Sequence, residues 1–366
     1  MQDAAVSILS LVFALTVCIQ LYYYLKYFFP LTQFQQASIK KSSIHLSVIV
    51  AVKNNASALS RCISSILMQE HTSFELIIVD DHSTELLEAV IANFDDQRIV
   101  YHRLNEDQQG KKAAIQKGIH LAKNEHLVFT DADCKVESNH WLEGIASAFL
   151  SQTEIVLGHG RFYKRNSFLN ALQRFECMLN AIQYFSFALS GKAYMGVGRN
   201  LAYLKSTAKC YAKAPEQKGL MSGDDDLFVN KMATPSNVGI LPNLGNHTLS
   251  EAKNNWMSYF HQKRRQLQAG NHYKPMHRWT LAMFGASKLL FYISCLFLLL
   301  FSKQQLPILS IFVVELAIQM LLFWRISRMM GDKDLVIWIT VLEPVYYGVI
   351  SLIGISTWLW KVKRWT

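Results

Sequence analysis

The sequence predicts an α/β domain with a mostly parallel sheet, joined to transmembrane helices. Between residues 46 and 157, short apolar runs alternate with amphipathic helical patterns, which is typical of a parallel sheet. Apolar runs of bilayer-spanning length lie on both sides of this region. Of the 366 residues, 51% are hydrophobic and only 17% are charged, which is more apolar than an average soluble protein.

The first 30 residues are predicted to form an uncleaved transmembrane anchor. Ala4–Phe29 is mostly apolar and exceeds the roughly 20 residues that a spanning helix needs. A signal peptide would have a basic start and a small-residue cleavage site, whereas this segment starts with Gln2-Asp3 and ends in tyrosines. Lysines follow at positions 26, 40 and 41, so the positive-inside tendency predicts that the next domain is cytoplasmic.

Five strands and two helices are predicted in the region that follows. The strands are Leu46–Val52, Phe74–Asp80, Arg98–His102, Leu127–Thr130 and Glu154–Gly158. A helix with a clear apolar period runs from Leu59 to Leu67, and a weaker one spans Lys112–Ala122. The second helix follows Gln109-Gly110-Lys111, where a glycine turn, a basic side chain and free N–H groups suit an anion. A solvated turn with surface lysines is the alternative.

Two of these strands end in pairs of carboxylates. Asp131 and Asp133 follow the fourth strand, and ligands of open parallel sheets bind beyond the carboxyl ends of the strands. Carboxylate oxygens suit Mg²⁺ or Mn²⁺. The second strand ends in Asp80-Asp81, which can accept a hydrogen bond from a nucleotide base. A turn or a helix cap is the alternative for each pair.

Six segments, taken in order, resemble a membrane-bound family 2 glycosyltransferase. They are SVIVAVKNN (Ser47–Asn55), FELIIVDDHS (Phe74–Ser83), QGKKAAIQKG (Gln109–Gly118), TDAD (Thr130–Asp133), SGDDDL (Ser222–Leu227) and QKRRQ (Gln262–Gln266). The resemblance implies a GT-A fold over residues 46–270. It also implies transfer of a sugar from a nucleotide-sugar, with UDP the expected nucleotide and with inversion of the anomeric centre.

The resemblance also implies roles for individual residues. Asp81 would contact the base, Lys111 or Lys112 the nucleotide, Asp131 the sugar-nucleotide and Asp133 the divalent metal, while Gln262 and Arg265 would bind the donor. A bound metal and the Arg265 cation would stabilise the charge of the departing diphosphate. From the residue types alone, Arg199 and Asn200 are predicted to contact sugar hydroxyls, because they follow a glycine-containing segment that allows close backbone approach.

The sequence departs from the family pattern at two places. The family has Glu-Asp before a leucine, whereas this chain has Gly223 followed by three aspartates and Leu227. Alignment on Leu227 makes Asp224 the general base, with Asp225 as the alternative. Gln266 replaces the tryptophan of processive members, so the predicted product is one or a few sugars on a membrane-associated lipid or glycan acceptor. A processive polysaccharide synthase is the alternative.

The region 279–360 is predicted to contain about three transmembrane helices. The apolar runs are Trp279–Phe301, Leu306–Trp324 and Leu335–Trp360. Glu315 and Glu343 are costly within lipid. Each is predicted to belong to a packed ion pair with a cation, and a contact with a lipid acceptor is the alternative. The protein is therefore predicted to be integral to the plasma (inner) membrane, with a cytoplasmic catalytic domain.

Other classes of function are less well supported. The net charge is +10, but the basic residues do not form a stripe interleaved with aromatic residues. No nucleic acid partner is therefore expected. The six cysteines show no CxxC or zinc spacing, which suits a reducing compartment. A non-catalytic membrane scaffold or transporter with a decayed nucleotide-binding domain, and a metal-dependent nucleotidyl or phosphoryl transferase, are the alternatives.

Overall fold

The polypeptide passes back and forth between two structural units. This computed structural model describes residues 2–36, 43–149, 152–212 and 224–359. The sheet unit contains residues 35–163 and 190–252, and the helical unit contains residues 1–34, 164–189 and 253–366. The predicted domain 46–270 therefore contributes segments to both units.

Nine strands and thirteen α-helices make up the described chain. The strands are β1 Leu46–Val52, β2 Phe74–Asp80, β3 Ile99–Arg103, β4 His126–Asp131, β5 Lys135–Val136, β6 Ile155–Phe162, β7 Leu201–Leu204, β8 Val238–Leu241 and β9 His247–Ser250. The helices are α1 Gln2–Tyr23, α2 Phe29–Thr32, α3 Ala56–Leu67, α4 Leu87–Ile91, α5 Lys111–Leu121, α6 Trp141–Ala148, α7 Phe168–Leu189, α8 Lys205–Ala212, α9 Asp224–Met232, α10 Trp256–Gly270, α11 Pro275–Phe301, α12 Gln305–Met330 and α13 Ile339–Leu359. A π-helical turn, Tyr24–Phe28, joins α1 to α2, and a 3₁₀ turn, Lys333–Trp338, precedes α13.

The sheet has the strand order β3-β2-β1-β4-β7-β6-β9-β5, with β8 also paired to β6. Strands β1 to β4 are parallel, whereas β7 runs antiparallel to both β4 and β6. The predicted α/β fold class is thus confirmed, as a mixed rather than uniformly parallel sheet. Strand β6 extends beyond the predicted Gly158 to Phe162 because its second half pairs with β9, a strand that the sequence did not predict.

Helices α3 and α5 position the loops at one edge of the sheet. The α3 side chains Leu59 and Ile63 are buried in the same core as Val48 and Val50 of β1. Each such buried side chain contributes about 1.5–3 kcal/mol. On α5, a Cβ at Gly118 would meet the Ile49 side chain, so glycine allows this helix to lie directly on β1. These two contacts fix where the carboxyl end of β1 and the amino end of α5 lie.

The helical unit contains the long apolar helices predicted from the sequence. Four helical segments of the described chain are long and apolar enough to cross a membrane: Asp3–Thr32, Pro275–Phe301, Gln305–Met330 and Lys333–Thr357. The predicted end of the last span, Trp360, lies outside the described residues. Helices α11 and α12 extend beyond their predicted bounds, to Pro275 and to Met330, because polar and basic flanks continue the helix. Helix α13 begins later than predicted, at Ile339, because a 3₁₀ turn precedes it.

Helix α7 also belongs to the helical unit and is almost wholly buried. Its Phe187 ring lies 4.5 Å from the Tyr27 ring, between centroids. Arg174 is buried and donates to Asp332 and Asp334, with N···O distances of 2.8 Å to each. This helix is therefore held by the apolar helices through both ring contacts and an ion-paired arginine.

Candidate active site

The carboxylates predicted from two separate strands lie at the same edge of the sheet. Strand β1 is paired on one side with β2 and on the other with β4. In this register Val52 lies opposite Asp80, and Ala51 lies opposite Asp131. Because both partners run parallel to β1, the loops that follow β2 and β4 leave the sheet on the same edge, where ligands of open α/β sheets bind.

Asp131, the last residue of β4, is paired with the first residue of α5. Lys111 Nζ donates to Asp131 Oδ1 at 2.5 Å, and the Lys111 side chain remains 48% exposed. Burial alone would raise the pKa of Asp131, but Lys111 and Arg199 hold it below its ordinary value. Asp131 in turn raises the pKa of the Lys111 ammonium. The pair is therefore charged at neutral pH, with a half-exposed cation at the site.

The charge of Asp133 is only partly balanced by the cations around it. Burial and the charge of Asp131 raise its pKa, and Arg199 and Lys111 offset this only in part. Oxygens of Asp131 and Asp133 and the sulfur of Cys134 lie within 4.8 Å of one another. Burial raises the pKa of the Cys134 thiol to about 12, so the carboxylates are the donors available at neutral pH. Clustered carboxylate oxygens with incomplete counter-charge fit a divalent cation.

Asp81 and its neighbour Asp80 have different surroundings. Asp80 is fully buried and accepts hydrogen bonds from the Ser83 backbone N–H at 2.9 Å and from the Tyr101 hydroxyl at 3.0 Å. It thus holds the turn after β2. Asp81 Oδ1 accepts from the Gly110 N–H at 2.9 Å, and Asp81 Oδ2 lies 3.5 Å from Lys53 Nζ. Asp81 therefore joins the ends of β1 and β2 to the turn before α5.

Three residues with left-handed backbone conformation surround Asp81. Asn54, Asn55 and His82 have φ values of 60°, 64° and 55°. Such conformations cost about 1–3 kcal/mol each in non-glycine residues and concentrate at functional sites. The Asn54 side chain accepts from the Thr84 N–H at 2.8 Å, which holds the β1 and β2 loops against each other. The loops around Asp81 are thus fixed before any ligand binds.

Arg199 is clamped beside the carboxylates by contacts at both ends. Its carbonyl oxygen accepts from the hydroxyls of Thr130 and Thr248 at 3.0 and 2.9 Å. Its guanidinium donates to the Gly160 carbonyl at 2.7 Å and lies 4.4 Å from the centroid of the Phe162 ring. Because its charge lowers the pKa of both Asp131 and Asp133, Arg199 is a fixed cation next to the cluster.

Asn200 is buried inside the sheet unit, where both the nitrogen and the oxygen of its side-chain amide are hydrogen-bonded. The amide Nδ2 donates to the carbonyls of His159 and Asn246 at 2.9 and 2.7 Å, and Oδ1 accepts from Trp141 Nε1 at 3.0 Å. The sugar contact predicted for Asn200 remains a prediction. The observed bonds favour a positioning role, in which Asn200 holds the loop that carries Arg199.

Asn200→Ala is accordingly expected to destabilise the protein. Three buried groups would lose their partner, and each unsatisfied group costs about 1–3 kcal/mol. Thermal unfolding of the purified chain should therefore show a lower midpoint, while Asn93→Ala on the exposed surface should leave it unchanged. An unchanged midpoint combined with a raised KM for the donor would instead support a direct sugar contact.

Asp225, at the start of α9, brings another carboxylate to the cluster. A Cβ at Gly198 would collide with the Asp225 carboxylate, so this side chain lies directly over the backbone next to Arg199. Asp225 also contributes to the raised pKa of Lys111. The charge of the neighbouring Asp226 acts on Tyr194, whose pKa is raised first by burial and then by Asp226. Helix α9 begins at Asp224, whose side chain lies outside the described residues.

Gln262, Arg265 and Gln266 lie on α10 in the helical unit. The same helix is held to α7 by the buried Glu176, whose carboxylate accepts from the Tyr259 hydroxyl at 2.8 Å and lies 2.7 Å from Lys263 Nζ. Lys263 Nζ also donates to Gln266 Oε1 at 2.6 Å. Lys263 is therefore an anchored residue and not a free surface charge. The roles of Gln262, Arg265 and Gln266 stay predictions.

A family model matches one continuous part of the chain. Residues 47–211 match the model described as glycosyl transferase family 2. The chain carries a family 2 glycosyltransferase domain. It is 37% identical over 114 residues to an uncharacterized glycosyltransferase of Nostoc, covering 31% of this chain and 34% of that protein. It is 32% identical over 98 residues to the glycosyltransferase GlyG of Streptococcus pneumoniae, covering 26% and 32%. The matched part thus spans about a third of each relative.

A solved structure extends the likeness of fold beyond the family 2 domain. The mannosyltransferase PcManGT from Pyrobaculum calidifontis, in complex with GDP-Man and Mn²⁺, has a TM-score of 0.62 and 15% identity to this chain. The superposition covers 99% of this chain and 100% of that one. At this identity it shows the fold alone, which is the GT-A fold with several long apolar helices.

Sequence reasoning missed the contacts of two residues, one in each unit. Gly198 provides the space for the Asp225 carboxylate, and Glu176 holds the helix that bears the QKRRQ segment. Gly198 belongs to the glycine-containing segment for which a close backbone approach was predicted, so the glycine itself was a signal in the sequence. Glu176 gave no signal, because a single acidic residue within an apolar helical stripe does not reveal its partner.

Proposed function

We propose that this protein is an inverting glycosyltransferase that moves a sugar from a nucleotide-sugar to a membrane-associated acceptor. One observation carries the proposal: Asp131, Asp133 and Asp225 lie together with Lys111 and Arg199 at the carboxyl edge of a family 2 domain. A nucleotide-sugar carries a diphosphate, so its site needs cations for the donor and a carboxylate for the acceptor hydroxyl.

The donor half of the site uses the residues around Asp81, Lys111 and Asp133. Asp81 takes the base, and the half-exposed ammonium of Lys111, at the amino end of α5, takes a phosphate oxygen. Asp133, with Asp131, is the group that would hold Mg²⁺ or Mn²⁺, which when bound supplies positive charge to the departing diphosphate. That PcManGT was solved with GDP-Man and Mn²⁺ supports a nucleotide-sugar donor and divalent metal use.

The acceptor half of the site requires a general base. The acceptor oxygen attacks the anomeric carbon from the face opposite the diphosphate, the bond from that carbon to the diphosphate oxygen breaks, and the configuration inverts. The hydroxyl proton passes to a carboxylate. We assign this role to Asp225, because its carboxylate belongs to the same cluster as Lys111 and Asp131. Asp224, favoured by alignment on Leu227, is the alternative.

The acceptor is assigned to the membrane because of the four apolar helical segments that flank the domain in sequence. A cytoplasmic catalytic domain is favoured by the positive-inside tendency, because lysines at 26, 40 and 41 precede it and Lys274 and Arg278 follow it. Gln266 lacks the aromatic face that a growing polymer end would stack on. The product is therefore one or a few sugars on a lipid-held acceptor.

The test is transfer by the purified full-length chain. The protein is incubated with labelled UDP-linked and GDP-linked sugars, Mn²⁺ and membrane lipids, and the products are extracted and sized. Label should enter the lipid fraction as one or a few sugars with at least one donor. Polymer of high molecular weight would contradict the acceptor assignment. Absence of transfer from every donor would favour the non-catalytic alternative.

A further inference from the structure

A polar cluster lies inside the apolar helices of the helical unit. Lys288 of α11, Glu315 of α12 and Glu343 of α13 are 0%, 1% and 0% exposed. All three lie within segments long and apolar enough to cross a membrane. Charged groups at such depth are costly, and they mark functional sites unless they are fully compensated.

The Lys288 side chain is an ammonium ion. Its Nζ donates to Tyr24 Oη at 2.8 Å, to Glu315 Oε1 at 2.7 Å and to Gln319 Oε1 at 2.9 Å. These bonds require three N–H groups, and a neutral amine has only two. The cluster therefore contains one fixed positive charge.

Glu343 is fully buried, and both oxygens of its carboxyl group accept hydrogen bonds. Its Oε1 accepts from the Gln319 amide at 2.7 Å, and its Oε2 accepts from the Tyr292 hydroxyl at 2.5 Å. Lys288 Nζ lies 3.4 Å from the same Oε2. These contacts favour the charged form of Glu343, whereas its burial opposes that form.

Glu315 is bonded differently at its two oxygens. Oε1 accepts from the Tyr24 hydroxyl at 2.7 Å in addition to Lys288. Oε2 is buried and has no hydrogen-bond partner within the described part of the chain. An open groove of about 220 Å³ adjoins this side chain, and apart from Ser310 its other walls are apolar: Val17, Leu21, Ile311, Val314 and Ile318. The Ser310 hydroxyl is engaged with the Leu306 carbonyl at 2.9 Å.

Charge balance and geometry together give the inference. Two ionised glutamates and one lysine would leave a net negative charge in an apolar interior, which is strongly unfavourable. We propose that the cluster binds one proton, held on Oε2 of Glu315. A neutral carboxyl group accepts through its carbonyl oxygen, as Oε1 does twice here, and carries its hydrogen on the other oxygen. A metal cation would require several oxygen ligands, which the apolar walls beside Glu315 do not offer.

The other titratable groups that face the cluster are tyrosines. Tyr24 and Tyr292 donate to the two glutamates, and Tyr347 lies near Glu343 on α13. Phenols are neutral at physiological pH and do not change the charge balance. The bound proton is therefore the charge that brings the cluster to neutrality.

Infrared spectroscopy of the full-length protein in lipid, at neutral pH, tests this inference. A protonated carboxyl group has a C=O stretching band that a carboxylate lacks, and this band shifts in D₂O. We expect the band in the wild type and its loss in Glu315→Gln. Glu343→Gln should lose it as well, because Lys288 then neutralises a single remaining carboxylate. Lys288→Met should show about twice the intensity, since both glutamates are then protonated to stay neutral.

Matched controls keep the result independent of catalysis and of folding. Glu88→Gln, on the exposed surface of α4, should leave the band unchanged. The two glutamine variants are isosteric with the native residues, so the test stands even where Lys288→Met fails to fold. Absence of the band from the wild type would overturn the proposal, as would a band that persists in Glu315→Gln or in Glu343→Gln.

Discussion

Asp133→Ala is expected to lower sugar transfer by about 10³-fold, because a metal ion supplies several kcal/mol of charge stabilisation and each 1.36 kcal/mol is a factor of ten. Asp133 is a carboxylate of the cluster whose charge is only partly compensated: desolvation and Asp131 raise its pKa, whereas Asp131 itself is paired with Lys111 at 2.5 Å. Initial rates in excess Mn²⁺ and Mg²⁺ measure the loss. Calorimetric titration of Mn²⁺, with a nucleoside diphosphate present, measures metal binding separately.

Two controls separate metal loss from general damage. Asp95→Ala removes an exposed carboxylate of the same unit and should preserve both rate and metal binding. The thermal midpoint of Asp133→Ala should stay near that of the wild type, because Asp133 is an exposed residue whose charge is repelled by Asp131. Undiminished turnover in the presence of chelator would refute the metal assignment, whatever the behaviour of the variant.

Asp225→Asn is expected to lower turnover by about 10²–10⁴-fold with little change in donor binding, because it removes proton abstraction from the acceptor. The amide keeps the size of the side chain but cannot accept the proton. Gly198→Ala provides a second route to the same effect, since its methyl group would occupy the place of the Asp225 carboxylate. Single-turnover rates and donor dissociation constants, measured for both variants, separate chemistry from binding.

Asp224→Asn is the matched control, one residue away on the same helix. It should retain most of the turnover if Asp225 is the base. If Asp224→Asn loses most of its turnover while Asp225→Asn stays active, Asp224 is the base. The alignment on Leu227 would then be right, and the assignment from proximity to Lys111 would be wrong. If both variants lower turnover only slightly and equally, no aspartate of this helix is the general base.

The elements of the site that follow from local sequence were predicted well. Strands β1 and β2 have the predicted bounds, Leu46–Val52 and Phe74–Asp80, because continuous apolar runs end abruptly in polar residues. Helix α5 begins one residue before its predicted start, at Lys111. The shared edge of Asp81 and Asp131 followed from the parallel arrangement, which needs no knowledge of side-chain contacts.

The features that escaped prediction depend on pairing between distant segments. Strands β7, β8 and β9 have four residues each, too few for a period to be visible, and they exist because β4 and β6 offer them hydrogen bonds. Likewise Asn200 meets Trp141, 59 residues earlier in the chain. The orientation of Asp225 relative to Asp226 also depends on how α9 packs, which a run of three identical residues cannot reveal.

The alternation of the chain between its two units limits how the catalytic domain can be isolated. A fragment cut at residues 46 and 270 retains α7, whose Phe175, Leu179 and Ile182 are fully buried in the intact protein. The residues that hold α7 within the helical unit, among them Tyr27 and Asp332, would be left behind. Such a fragment would present a 22-residue apolar helix to water together with an unpaired Arg174. A water-soluble catalytic domain therefore requires removal of α7 from the middle of the sequence. Trimming the termini alone leaves the apolar surface of α7 exposed.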